Sequence, residues 1–64
     1  MNLLFVELAG RRLEEGDRVY WTSDREEGTI AHLTEHAIAI DWDSAGTEWY
    51  AISSGALERI RAFR

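Results

Sequence analysis

Residues 16–60 decide the fold, opening with GDRV at 16–19 and closing with ALERI at 56–60. Between these blocks, short alternating apolar runs are separated by turns that contain glycine. Ile38, Ile40 and Trp42 share one side of a strand because strand side chains alternate with a period of two, so we expect all three in the core. About five or six short strands with turns roughly every 8–12 residues and almost no helix predict an all-β fold, a small SH3-like barrel.

The chain is predicted to form a single domain, residues 1–64, with an N-terminal strand or hairpin at 1–13 and the barrel body at 16–60. The N-terminal strand covers residues 3–8, and a turn at Ala9 and Gly10 returns the chain over 11–13. The body has strands at 18–21, 28–33, 37–42 and 48–52, one helical turn near Ala56 to Glu58, and a last short strand through Ile60 and Phe63.

The small size of the chain limits its stability. A domain of 64 residues buries only about 60% of the surface that its unfolded form exposes. The sequence has no cysteine, so it forms neither a disulfide nor a thiolate metal site, and its three tryptophans or self-association must supply the extra stability. An unpaired apolar strand at residues 3–8 is prone to association, so we predict a homodimer or larger homo-oligomer.

Charge and hydropathy restrict the partners. The 12 acidic and 7 basic residues give a net charge of −5, and the arginines are scattered, which argues against nucleic acid as a ligand. The apolar run at the N-terminus is too short to span a bilayer and has no basic flank, so no membrane partner is expected. A cytoplasmic protein is predicted.

Three segments resemble the type II dihydrofolate reductases carried by plasmids and integrons: GDRV at 16–19, G-x-I at 28–30 and ALERI at 56–60. The resemblance implies an SH3-like barrel, a tendency to oligomerise and an origin in a mobile element. That family carries Val-Gln-Ile-Tyr on its fourth strand and basic residues after its first. The corresponding segments here read EWYAI at 48–52 and YWT at 20–22. No catalytic residue carries over, so we predict no enzyme activity and no cofactor.

Residues 28–50, with IDWD at 40–43, also resemble Tudor-like barrels. Those modules bind peptides, sometimes by enclosing a methylated basic side chain among aromatic rings. This second resemblance implies a protein or peptide partner.

Aromatic side chains near the strand ends, with carboxylates beside them, form the candidate ligand or partner surface. Its members are Tyr20, Trp21, Asp41, Trp42, Asp43, Glu48, Trp49 and Tyr50. Such a set can enclose a cation, or it can supply core packing and a self-association surface. Strand alternation places adjacent aromatics on opposite faces, so at least one member of each adjacent pair must leave the core.

The segment HLTEH at 32–36 matches the H-x-x-E-H zinc-hydrolase pattern. That mechanism needs a long helix, whereas residues 29–33 are predicted as strand and 34–36 as a turn. We therefore predict no metal site there.

Asp41, Asp43 and Gly46 occupy the first, second and glycine positions of a calcium loop. Ala45 and Ile52 stand where the loop needs carboxylates, so a hairpin turn with left-handed Gly46 is the better interpretation. The DREE segment at 24–27 is either a solvated loop or, as in signalling SH3 domains, a loop that binds basic ligands.

These observations favour a non-enzymatic SH3-like protein-interaction or assembly module. Two alternatives remain open at this stage. One is a divergent enzyme of the type II dihydrofolate reductase kind, and the other is an acidic inhibitor protein that imitates nucleic acid.

Overall fold

A computed structural model describes residues 4–63, which form seven strands and one 3₁₀ turn. The elements are β1 (Val6–Leu8), β2 (Arg11–Leu13), β3 (Arg18–Trp21), β4 (Glu27–Leu33), β5 (Ala37–Trp42), β6 (Gly46–Ala51), the 3₁₀ turn (Gly55–Arg59) and β7 (Ile60–Ala62). The all-β prediction is confirmed, with seven strands rather than five or six. Among the described residues, no helix is long and apolar enough to span a bilayer.

The strands pair antiparallel in two sheets. β1 and β2 form one sheet, and the other has the order β6-β5-β4-β3-β7. The first sheet is the predicted N-terminal hairpin, with Val6 opposite Leu13. Its turn uses Ala9 and Gly10, both at positive φ. The strand predicted at 3–8 covers only Val6–Leu8 in the structure, and Leu4 and Phe5 lie before it. Leu3 is outside the described residues.

β3 and β5 have the predicted boundaries, whereas the 3₁₀ turn is one residue longer at each end than predicted and β7 ends at Ala62 rather than at Phe63. β4 and β6 also differ. β4 begins at Glu27, one residue early, because Glu27 pairs with Tyr20 of β3. β6 covers Gly46–Ala51 rather than 48–52, because the short turn brings Gly46 opposite Trp42. Gly46 has a φ of 84°, as the predicted left-handed turn position requires.

The core lies between the N-terminal hairpin, the five-stranded sheet and the 3₁₀ turn. Ile38 and Ile40 are completely buried and Trp42 is nearly so, as the alternation predicted. The buried cluster comprises Val6, Leu8, Leu13, Val19, Ile30, Leu33, Ile38, Ile40, Trp42, Leu57 and Ile60. The 3₁₀ turn contributes Leu57 and is capped by Ser54, whose hydroxyl accepts from the Ala56 N–H.

A close approach and a bulge shape the sheet. The Trp42 ring packs over Gly28, where a Cβ would lie 2.8 Å from Cε3 of the indole. The register of β4 against β5 shifts between Ile30 and His32. This bulge at Ala31 lets both Ile30 and Leu33 face the core, although strict alternation would place them on opposite faces.

Candidate functional site

The sheet divides the predicted aromatic residues between its two faces. Trp21, Trp42 and Tyr50 lie on the core side, where Trp42 is buried and the other two pack against the core. Tyr20 and Trp49 lie on the opposite face, which we term the outer face. One member of each adjacent pair therefore leaves the core, as predicted.

The three core-side rings pack against one another. Trp21 meets Trp42 edge to face, with centroids 5.8 Å apart, and stacks on Tyr50 at 6.2 Å. These separations are those of rings in direct contact. A cation-binding cage needs ring faces turned toward open space, and these rings are turned toward one another. The structure does not bring all five aromatics together as one cage.

A short hydrogen-bond chain orders this cluster. Trp42 Nε1 donates to the Tyr50 hydroxyl at 3.0 Å, and that hydroxyl donates to Glu48 Oε1 at 3.0 Å. Burial raises the pKa of Tyr50, and the Glu48 and Glu26 carboxylates raise it further, against the opposing effect of the Trp42 hydrogen bond. Tyr50 and Glu48 thus complete the hydrogen bonding of a buried tryptophan.

Asp43 takes part in an ion pair that sequence reasoning missed. Arg18 Nη2 lies 2.8 Å from Asp43 and 3.2 Å from Glu27, and Arg18 Nη1 donates to Thr29 at 2.9 Å. The Arg18 hydrogen bond lowers the pKa of Asp43 below its ordinary value. These carboxylates, about half exposed, are engaged within the chain.

The DREE loop makes contacts within the chain. Glu26 accepts hydrogen bonds from the backbone N–H and the hydroxyl of Ser44 and so ties this loop to the β5–β6 turn. Asp24 accepts from the Glu26 N–H at 3.1 Å. Arg25 adopts a φ of 64°. The loop therefore has a local structural role. Whether it also binds basic ligands stays a prediction.

Trp49 is the most exposed large apolar side chain in the described part of the chain, with 56% of its surface accessible. Its ring lies parallel to that of His32 on β4, with centroids 5.9 Å apart. Ala39 of β5 is paired with both residues and is completely buried. The Trp49 side chain thus leans inward over β5, away from the open edge of the sheet.

The two histidines of the HLTEH segment have different surroundings. His32 lies in β4 and stacks on Trp49, whereas His36 lies in the predicted turn, 3.8 Å from Glu35. Among residues 4–63, no three histidine, aspartate or glutamate side chains are grouped so as to hold a metal ion. Asp41, from the calcium-like pattern, instead accepts from the Thr47 hydroxyl at 3.4 Å.

β6 is the terminal strand of the five-stranded sheet and is exposed over most of its length. The Ile52 N–H donates to the His36 carbonyl at 2.8 Å. Because hydrogen-bonded pairs alternate along an antiparallel ladder, every second residue back from Ile52 also bonds to β5. Thr47, Trp49 and Ala51 therefore direct their N–H and C=O groups away from the sheet, although the Ala51 carbonyl accepts from the Ser54 N–H.

Sequence reasoning named Glu48, Trp49 and Tyr50 of this strand but did not identify its backbone edge. The structure also contains an open groove of about 770 Å³ beside β1, bordered by Phe5, Ile52 and Leu57.

Tyr20, the remaining predicted aromatic, packs edge to face on Phe63 with centroids 5.6 Å apart. It lies apart from the Trp49 stack, since its ring contact is on the β7 side of the sheet.

No family model, no curated protein and no solved structure matches this chain. The resemblances to type II dihydrofolate reductases and to Tudor-like barrels therefore stay predictions. The functional interpretation depends on the geometry of the site.

Proposed function

We propose that this chain is a small non-enzymatic protein-interaction or assembly module that binds an extended protein segment beside β6. The proposal rests on which residues of β6 bond to β5. Alternate residues do so, and Thr47, Trp49 and Ala51 between them direct their backbone N–H and C=O groups outward. An extended segment placed along this edge gains main-chain hydrogen bonds of the kind used in strand addition.

The composition of β6 supports this use. Natural proteins protect terminal strands with proline, charged side chains, bulges, very short length or a covering element. β6 has six residues, GTEWYA, with no proline and a regular register with β5, and its one charge, Glu48, accepts a hydrogen bond from Tyr50 of the same strand. Its side chains are exposed apart from Tyr50, so no described element covers it. The exposed Trp49 adds an aromatic contact of the kind enriched at protein interfaces.

The polar groups of the aromatic cluster and of the Arg18 ion pair are engaged in the structure of the chain. A general acid or base needs a pKa near the working pH. The shifted groups move the other way: the pKa of Tyr50 is raised from 10.0 and that of Asp43 is lowered from 3.8. Glu26, Asp43 and Glu48 are hydrogen-bonded within the chain. The proposal accordingly includes no cofactor and no catalytic residue.

Peptide selection followed by NMR tests this proposal. Peptides selected from a random phage-displayed library against the wild-type chain are titrated into ¹⁵N-labelled protein. We expect the largest shift changes and new exchange protection at the amides of Thr47, Trp49 and Ala51. Shift changes centred on another surface would contradict the proposal, as would β6 amides that stay unprotected both in the peptide complexes and in the free chain at high concentration.

Two variants at Ala51 separate backbone pairing from side-chain contact. Ala51→Pro removes an outward N–H without removing a β5 hydrogen bond, and proline is tolerated at such edge positions. Ala51→Val keeps that N–H and suits a strand. We expect Ala51→Pro to weaken the binding of selected peptides by about tenfold or more, the equivalent of about 1.4 kcal/mol, and Ala51→Val to bind normally. Equal binding by both variants would refute strand addition.

A further inference from the structure

We infer that the segment bound beside β6 is β6 of a second copy of this chain, paired antiparallel about a two-fold axis at Trp49. The two five-stranded sheets then join into one continuous sheet. This inference rests on the proposed binding at β6 and names the partner. It follows from the hydrogen-bond phase, the charge pattern and the side-chain directions of the strand.

The hydrogen-bond phase permits this pairing along the whole strand. With the axis at Trp49, Trp49 meets Trp49 of the second copy, and Thr47 meets Ala51 of the second copy. These are the residues whose backbone groups point outward. Each such pair exchanges two bonds, so the joined edge gains about six hydrogen bonds, two of which go to Ala51 carbonyls that also accept from Ser54. Other registers about a two-fold axis align fewer outward residues of β6.

The charge pattern permits this register and disfavours the one centred on Glu48. Glu48 is the charged residue of β6, and with the axis at Trp49 it lies opposite Tyr50 of the second copy. The two Glu48 side chains are then diagonal neighbours, about 7–8 Å apart. With the axis at Glu48, the two Glu48 residues would stand directly opposite, with Cβ atoms about 4.5–5.5 Å apart, where like charges destabilise a sheet. The number of outward pairs and the position of Glu48 together therefore favour the register centred on Trp49.

Side-chain direction leaves the edge open to a second copy. The Trp49 ring leans across Ala39 to His32 and so lies over its own sheet rather than beyond β6. Thr47 and Ala51 share its face and are small. Two strands can thus approach to the ordinary spacing of about 4.8 Å without displacing the Trp49 stack, and the two tryptophans then flank the axis on one face.

Cross-linking tests the register directly, because the natural chain has no cysteine. Thr47→Cys and Ala51→Cys proteins are mixed, equilibrated and treated with a short thiol-specific cross-linker. The mixture is expected to give a covalent heterodimer, since the two positions lie opposite in the joined sheet. Either variant alone is expected to give little covalent homodimer. In the joined sheet, the same cysteine in the two copies is four residues apart along the strand, about 13–14 Å. Equal cross-linking of the mixture and of the single variants would overturn the register.

Sedimentation measures the association itself and does not depend on the cysteine variants. We expect the wild type and Ala51→Val to dimerise, and folded Ala51→Pro to dimerise at least about tenfold more weakly. Each chain carries a net charge of −5, so added salt should strengthen the dimer by screening its repulsion. A monomer at concentrations up to about 1 mM would overturn the inference, as would a dimer that Ala51→Pro leaves intact.

The two sets of measurements distinguish the inference from the proposed function. A chain that stays monomeric but binds selected peptides at β6 refutes self-pairing and leaves the interaction module standing. A dimer that forms at another surface, in a chain that binds no peptide at β6, refutes both. Should Ala51→Pro fail to fold, the cysteine mixture still decides the matter, because both of its substitutions are at exposed positions.

Discussion

Replacing Gly28 by alanine tests the close packing at the centre of the five-stranded sheet. A Cβ at this position would lie 2.8 Å from Trp42 Cε3, 2.9 Å from the Asp41 carbonyl oxygen and 3.1 Å from Ile40 Cγ2. The carbonyl belongs to β5, which is paired on both sides, and the Trp42 ring is held by Trp21 and by the Tyr50 hydrogen bond. None of these neighbours is a free side-chain end that can move aside.

Forcing an extra methyl into a well-packed site destabilises a protein by about 1–3 kcal/mol. At about 4–8 °C per kcal/mol for a domain of this size, Gly28→Ala should melt about 8–16 °C below the wild type for a loss of about 2 kcal/mol. Urea unfolding followed by tryptophan fluorescence measures the free energy, and calorimetry measures Tm.

Gly55→Ala is the matched control. Gly55 has no positive φ, and a Cβ there would meet nothing within 4 Å. An alanine at such a site is neutral or stabilises the fold by up to about 1 kcal/mol, because it lowers the conformational entropy of the unfolded chain. A Gly28→Ala protein within about 0.5 kcal/mol of the wild type would refute the packing described here.

Three further predictions concern side-chain partners. Tyr50→Phe removes the acceptor of the buried Trp42 N–H, so we expect a loss of about 1–2 kcal/mol in urea unfolding. Because the pKa of Tyr50 is raised from 10.0, the wild type should lose stability as pH rises above that value, and Tyr50→Phe should lack this part of the decline. The pKa of Asp43 is lowered from 3.8, so its pairing with Arg18 stabilises the fold above that pH and is lost as pH falls through the lowered pKa. The stability difference between wild type and Asp43→Asn should thus shrink below pH 3.8, and a constant difference down to complete acid unfolding would contradict the ion pair. Trp49→Thr should cost about 0.5–1.5 kcal/mol by removing the ring stack on His32, whereas no loss in urea unfolding would show that the stack does not stabilise the monomer.

The fold was largely predictable because it depends on local pattern. Ile38, Ile40 and Trp42 alternate with polar or small residues, and burial of that triplet follows from strand geometry alone. Glycine located the β1–β2 turn at Ala9 and Gly10 and the β5–β6 turn at Gly46. The β4–β5 turn at 34–36 contains no glycine and was identified by its polar residues. The early start of β4 at Glu27 was missed because a charged residue can pair in a sheet when its side chain meets a cation, here Arg18.

The site was less predictable because it depends on which strands become neighbours. Arg18 and Asp43 are 25 positions apart, and their contact requires both the β3–β4 pairing and the position of the β5–β6 turn. The outward backbone of β6 depends on its being the last strand of the sheet, which no property of GTEWYA specifies. Trp49 and Tyr50 could be assigned to opposite faces, but which of them faces the core depends on the pairing with β5.

The bulge at Ala31 allows one change in chain length that leaves the core intact. Deleting Ala31 would place Ile30 and Leu33 two positions apart, so strict alternation alone would keep both on the core face, opposite Ile40 and Ile38. Deleting Ala39 has no such compensation, because Ile38 and Ile40 would become neighbours and point to opposite faces. Natural variation in this chain should therefore include loss of Ala31 and exclude loss of Ala39.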